Sequence, residues 1–203
     1  MTERIEADTE ASVANRVFVL ILQHPQERRE PLATAPAIVS TLGRAKLAVG
    51  LSWPNLPRAL GREADPRRWG VLYLGSAQLK ELPREREVVL LDRRGEPVED
   101  PRPVLRGLEG IVLLDGNWSQ AKTLWWRNPW LLKLQRLVLN PPLPARLGRL
   151  RREPRREALS TIEAAALVLR QLERDPAASD ALIAALDRLI AEARRPQAPA
   201  ETP

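Results

Sequence analysis

IVLLDGNWSQAKTLWW, residues 111–126, joins a short apolar run to a helical pattern through Asp115, Gly116 and Asn117. Four apolar residues in a row, without alternation, read as a strand covered on both faces, as in a parallel sheet flanked by helices. Asn117 stands where a helix N-cap belongs and Gln120 follows three residues on, so the pair predicts a capping box opening a helix over 118–126. Strand, turn and helix in that order put Asp115 and the first helical amides at the C-terminal end of a strand. That is where open α/β sheets bind ligands.

Working outward, apolar runs at 17–23, 47–51, 70–74, 88–91 and 137–139 predict further strands, and periodic patterns at 36–45, 161–173 and 179–193 predict helices. The alternation gives an α/β fold, a mostly parallel sheet flanked by helices. Proline-dense segments at 96–103 and 141–144 read as loops, because proline lacks the donor that a ladder or helix interior needs. There is no internal repeat, no G-x-G-x-x-G and no G-x-x-x-x-G-K-[ST], which leaves the dinucleotide fingerprint and the nucleotide P-loop without support. Residues 1–15 are polar and acidic, and 195–203 are rich in Pro and Ala. Both ends are expected to be disordered tails around one domain spanning 16–194.

The 203 residues, 44% hydrophobic, suffice for one domain with a sizeable core. No apolar stretch approaches the ~20 residues that span a bilayer. The opening MTERIEADTE is acidic where a signal peptide is basic and then apolar. A cytoplasmic protein without membrane attachment is expected. With no cysteine and one histidine, the chain has neither a disulfide nor the ligand set of a Cys/His zinc site. The net charge of +6 and pI near 10.6 favour a polyanionic partner, nucleic acid first. Only four of the 32 basic residues are lysine, so an arginine-rich coding bias accounts for the same surplus.

Three stretches carry side chains suited to chemistry. Asp115 can act as a base or hold an ammonium group, and Asp115 and Asn117 can equally be ordinary turn formers. Trp118, Trp125, Trp126 and Trp130, four of six tryptophans, crowd the same region. Some must be core, while stacking on a base or an adenine suits another. In LSTIEA, residues 159–164, Ser160 and Glu163 predict a second capping box. The first-turn amides and positive dipole of that helix suit a carboxylate. Upstream, Arg146, Arg149, Arg151, Arg152, Arg155 and Arg156, diluted by Glu153 and Glu157, read as a phosphate-tracking surface or as a solvated loop. His24, before Pro25, has no Cys or His partner and reads as a hydrogen-bonded loop residue; no metal site is expected.

In this order, HPQE at 24–27 with Thr34 downstream, DGNW at 115–118 followed by SQAKTL, and LSTIEA after a basic loop resemble the DTW-domain family, the tRNA-uridine aminocarboxypropyltransferases. That family is similar to the ribosomal-RNA aminocarboxypropyltransferases, and the matches span about 17–173. Asn117 stands where the family usually has Thr, Ala33 where an Asn is expected, and the N-terminal cysteine cluster of many members is absent. The resemblance implies a SPOUT-like fold with a C-terminal knot, S-adenosylmethionine as co-substrate, and transfer of its 3-amino-3-carboxypropyl group to N3 of a tRNA uridine. It implies that Leu74, Gly75 and Ser76, the turn Leu114, Asp115, Gly116, Asn117 and Trp118, and the segment Leu159, Ser160, Thr161 and Glu163 border the S-adenosylmethionine pocket. Asp115 would be the base and Trp118 would pack on cofactor or base. His24, Lys122, Arg149, Arg151, Arg152, Arg155 and Arg156 would meet the tRNA, with no obligate protein partner. A SPOUT-type RNA methyltransferase and a non-catalytic RNA-binding protein are the other readings, and ribosomal RNA is an alternative target.

Overall fold

The computed structural model describes residues 12–30, 33–75, 82–83, 85–140 and 159–194. Six strands, β1 (Phe18–Gln23), β2 (Ala45–Val49), β3 (Trp69–Leu72), β4 (Val88–Leu91), β5 (Gly110–Asp115) and β6 (Gln135–Leu139), form one sheet in the order β2-β1-β5-β3-β6-β4. Neighbours run parallel from β2 to β6, and β4 lies antiparallel at the edge. The mostly parallel α/β architecture read from the apolar runs is therefore present. The expected knot depends on the path of 141–158, which lies outside the described residues together with the Pro141 to Pro144 loop.

Alternation along each strand sorts side chains into two layers. Val19, Ile21, Ile111 and Leu113 pack with α1 (Ala35–Thr41), α5 (Thr161–Leu172) and α6 (Ala177–Ala193). Leu20, Leu22 and Val112 pack on the other face with α2 (Leu56–Leu60), Trp69, Trp130 and Leu131. Both faces of the central strands are thus dry, which is why their sequences do not alternate. Gly110 is required by space: a Cβ there would lie 2.6 Å from two ring atoms of the fully buried Trp69 on β3. Gly110→Ala should lower stability by about 1–3 kcal/mol through overpacking, read as a fall in Tm.

Several boundaries differ from the sequence expectation. The helix expected over 36–45 ends at Thr41, and Ala45 already begins β2. The cause is Asn15, whose side chain donates to the Arg44 carbonyl at 3.1 Å and accepts from the Arg44 amide at 2.8 Å, satisfying the turn without a helix. The packed body accordingly begins before residue 16, and Val13 donates to Thr41 O. Within 96–103, Pro97 bridges to Leu91 and α3 (Arg102–Gly107) begins, with Pro103 in the first turn, where a missing donor costs nothing. The short α2 was not anticipated, although Asn55 caps it, Pro57 lies in its first turn and Gly61 closes it at φ +83°. Among the described residues no helix is long and apolar enough to cross a membrane.

Candidate active site

The connection leaving β1 runs to β2 on one side, while the one leaving β5 passes through α4 (Trp118–Arg127) to β6 on the other. Adjacent strands whose connections diverge open a crevice at their C-terminal ends. Gln23 and Asp115, the last residues of β1 and β5, are register partners there. The Asp115 side chain is buried, with 1% of the residue exposed. Its Oδ2 accepts from Gln23 Nε2 at 2.8 Å and its Oδ1 accepts from Thr161 Oγ1 at the start of α5, while its carbonyl accepts from the His24 amide at 3.0 Å. Three segments distant in sequence converge on one carboxylate.

The turn after Asp115 is built as its residues suggest. Asn117 accepts from the Gln120 amide at 3.1 Å and its own amide donates to Gln120 Oε1 at 2.7 Å, which completes the capping box of α4. Gly116 has φ +154°, and a Cβ there would fall 2.8 Å from Gln120 Cβ and Oε1, so only glycine lets the turn close this tightly. Gln120 Nε2 reaches Gln26 Oε1 at 3.5 Å, joining this turn to the one after β1. Leu114 and Leu159 are half-buried beside the crevice.

The second capping box is also present: Ser160 N and Oγ donate to Glu163 Oε2 at 3.0 and 2.6 Å, and Ser160 Oγ accepts from the Glu163 amide at 3.4 Å. The chain itself therefore uses amides that the sequence suggested would be open to a ligand. Thr34 Oγ1, 1% exposed, takes the Ile162 amide at 3.3 Å. Among the described residues, the Thr161 amide is the first-turn donor of α5 left without an acceptor.

The end of β3 makes an aromatic wall. The Tyr73 ring lies 4.2 Å from that of Trp125 at an interplanar angle of 14°, and 6.4 Å from that of Trp118 at 10°. Burial raises the Tyr73 phenol above its ordinary value, against the pull of Arg136, so the ring stays neutral at physiological pH. Arg136 on β6 donates to the carbonyls of Tyr73, at 3.2 Å, and Leu74. Burial lowers the Arg136 guanidinium from its ordinary value, with Tyr73 acting the other way. Gly75 turns the chain at φ +58°, and a Cβ there would meet Arg136 Nη2 at 2.6 Å.

Not every expected residue belongs to this cluster. His24 caps a 3-10 turn at Pro25–Arg29, its Nδ1 accepting from the Gln26 amide at 3.3 Å, so the ring is occupied with its own loop. Lys122 is exposed on α4. Ser76, Arg149, Arg151, Arg152, Arg155 and Arg156 lie outside the described residues. Gln23 and Arg136 were not singled out by sequence reasoning. A glutamine closing an otherwise apolar strand was the available signal for Gln23, whereas Arg136 looks like any surface arginine. Among the described residues no three His, Asp or Glu side chains gather in a way that could hold a metal ion.

A family model described as DTW domain matches residues 3–194. The chain is 28% identical over 179 residues to a Macaca fascicularis protein named tRNA-uridine aminocarboxypropyltransferase 2, covering 83% of this chain and 52% of that protein. It is 30% identical over 175 residues to the Drosophila melanogaster protein of the same name, covering 84% of this chain and 62% of that one. The chain thus spans little more than half the length of these curated relatives. No solved structure matches it.

Proposed function

Because this chain belongs to the DTW-domain family, we propose that it is a tRNA-uridine aminocarboxypropyltransferase, moving the 3-amino-3-carboxypropyl group of S-adenosylmethionine onto N3 of a uridine in tRNA. The observation that carries this reading is the meeting of Gln23, Asp115 and Thr161 at the crevice between β1 and β5, next to the strand end that bears the Tyr73 and Trp125 stack. The names of the relatives support the reaction class and the tRNA substrate.

When bound, S-adenosylmethionine supplies a sulfonium with electrophilic carbons; the N3 bond to the methionyl γ-carbon forms as the γ-carbon to sulfur bond breaks, and 5′-methylthioadenosine leaves. Which carbon reacts is a matter of orientation, and near-attack geometry contributes much of the rate. The residues present fit that task. The ring faces of Tyr73, Trp118 and Trp125 suit a flat adenine and a neighbouring cation. The Thr161 amide at the positive end of α5 suits the methionyl carboxylate. The N3 proton has to leave, and Asp115 is the proposed acceptor. Thr161 covers Oδ1, so proton transfer requires its hydroxyl to turn away while Gln23 holds Oδ2.

The test uses unmodified tRNA and S-adenosylmethionine labelled in parallel at the carboxyl or the methyl carbon, followed by digestion and weighing of the nucleosides. Carboxyl label in a heavier uridine, with methylthioadenosine released, is the expected result. Methyl label alone would make the protein an RNA methyltransferase, and tRNA binding without either label would make it a binding protein.

A further inference from the structure

The basic surplus of this protein is not spread over the chain. From Gly116 through Arg152 there is no Asp or Glu, while that stretch carries eight Lys and Arg residues; the rest of the chain has a net charge of −2. A uniform coding bias does not produce such a partition. The same stretch holds the largest exposed apolar side chains of the described residues: Leu132 is 72%, Trp126 71% and Trp118 52% exposed. Leaving the Trp126 indole in water is costly unless something covers it.

The spacing gives these residues a direction. Trp118, Lys122 and Trp126 follow one another at intervals of four along α4, so they share one stripe of the helix. The stripe starts at the aromatic wall, where Trp118 faces Tyr73. It runs about 12 Å along the helix axis to Trp126. Arg127, the last residue of α4, and Lys133, in the 3-10 turn that follows, are further exposed cations beyond it. Aromatic faces interleaved with cations, free of carboxylates along their own segment, form the surface that a single-stranded or loop nucleic acid recognises: bases stack on the rings and phosphates follow the cations. A protein partner would need acidic side chains around an apolar patch, and nothing in the stripe other than charge selects for them.

We propose that the outer stripe of α4, Trp118, Lys122 and Trp126, with the exposed cations Arg127 and Lys133 beyond it, is the track on which the RNA flanking the target base lies, with Trp126 stacking on a base of that segment. The proposal rests on the reading of RNA as the substrate and adds where it docks. It is distinct from the arginine-rich segment upstream of α5 that the sequence alone suggests.

The experiment titrates labelled unmodified tRNA transcript with the full chain at several salt concentrations, comparing wild type with Trp126→Ala, Trp126→Phe and the double variant Lys122→Gln, Lys133→Gln. Trp126→Ala should raise Kd roughly tenfold or more, and Trp126→Phe should recover most of the loss. The double variant should reduce the slope of log Kd against log salt by roughly 1 for each lysine removed. All these side chains are exposed, so melting temperatures and affinity for S-adenosylmethionine should stay at the wild-type values. Wild-type Kd and salt slope in both Trp126→Ala and the double variant, with wild type binding tRNA, would overturn the track and leave the proposed function standing. Wild type failing to bind tRNA would overturn both. Should Trp126→Ala convert a dimer to a monomer in light scattering with tRNA affinity intact, the stripe is a self-association surface and the proposal is overturned.

Discussion

Asp115→Asn is expected to fold as wild type and to lose turnover by roughly 10²- to 10⁴-fold, the range that general-base catalysis supplies. The substitution isolates proton acceptance from architecture. An asparagine in the same place can accept from Gln23 Nε2 through its oxygen and donate to Thr161 Oγ1 through its nitrogen, since a hydroxyl both donates and accepts. The convergence of β1, β5 and α5 therefore survives, while the carboxylate does not. Single-turnover transfer to tRNA, the Kd for S-adenosylmethionine and Tm measured together decide the matter. Lost transfer with unchanged Kd and Tm assigns Asp115 to the chemistry. Retained transfer removes it from the proton path and makes it an anchor that holds the start of α5 against β5, a role its burial also suits. Asp115→Ala should behave differently from Asp115→Asn, losing stability as well, because Gln23 and Thr161 would then face an empty buried site.

The second large effect is structural. Asn128, fully buried at the C-terminal end of α4, makes four hydrogen bonds with one amide. Its Nδ2 donates to the carbonyls of Leu51 at 3.0 Å and Leu124 at 2.8 Å, and its Oδ1 accepts from the Trp53 amide at 2.8 Å and from Trp130 Nε1 at 3.2 Å. Asn128→Ala orphans the two carbonyls and the Trp53 amide, while Trp130 Nε1 keeps the Trp53 carbonyl at 2.9 Å. At about 1 kcal/mol for each group left unpaired, plus the space vacated, the cost is about 3–4 kcal/mol. Urea denaturation should show a lower midpoint with an unchanged slope. Because Asn128 ties α4 to the loop after β2, the Tyr73, Trp118 and Trp125 stack should loosen with it, weakening the proposed S-adenosylmethionine binding below the unfolding transition. A variant with wild-type midpoint would mean that water replaces all the lost bonds.

Legibility in the sequence followed the range of the interaction. Both capping boxes were readable because each is a contact between residues three apart, and the residue types alone specify it. The central strands were readable because burial on both faces leaves an unbroken apolar run, as in β1 and β5. The helix expected over 36–45 was cut short by Asn15, a residue about 30 positions away from the turn it satisfies. The site divides in the same manner. Asp115, Asn117 and Ser160 stood out by their place at strand and helix ends, and Thr161 was named only through the family resemblance. Gln23 and Arg136 did not, since their importance lies in what the sheet order brings beside them.

The sequence by itself determined the α/β class, the turn at Asp115 to Asn117, the two helix starts and the concentration of positive charge after β5, because each follows from composition or from neighbours within one turn of helix or strand. Only the tertiary structure decided the order β2-β1-β5-β3-β6-β4, the closure of Asp115 between Gln23 and Thr161, the seating of Arg136 on the Tyr73 and Leu74 carbonyls just after β3 and the exposure of Trp126. Pairing between strands and burial of a particular indole are set by which distant segments pack together, and that competition among whole-chain arrangements leaves no mark in any local window of residues.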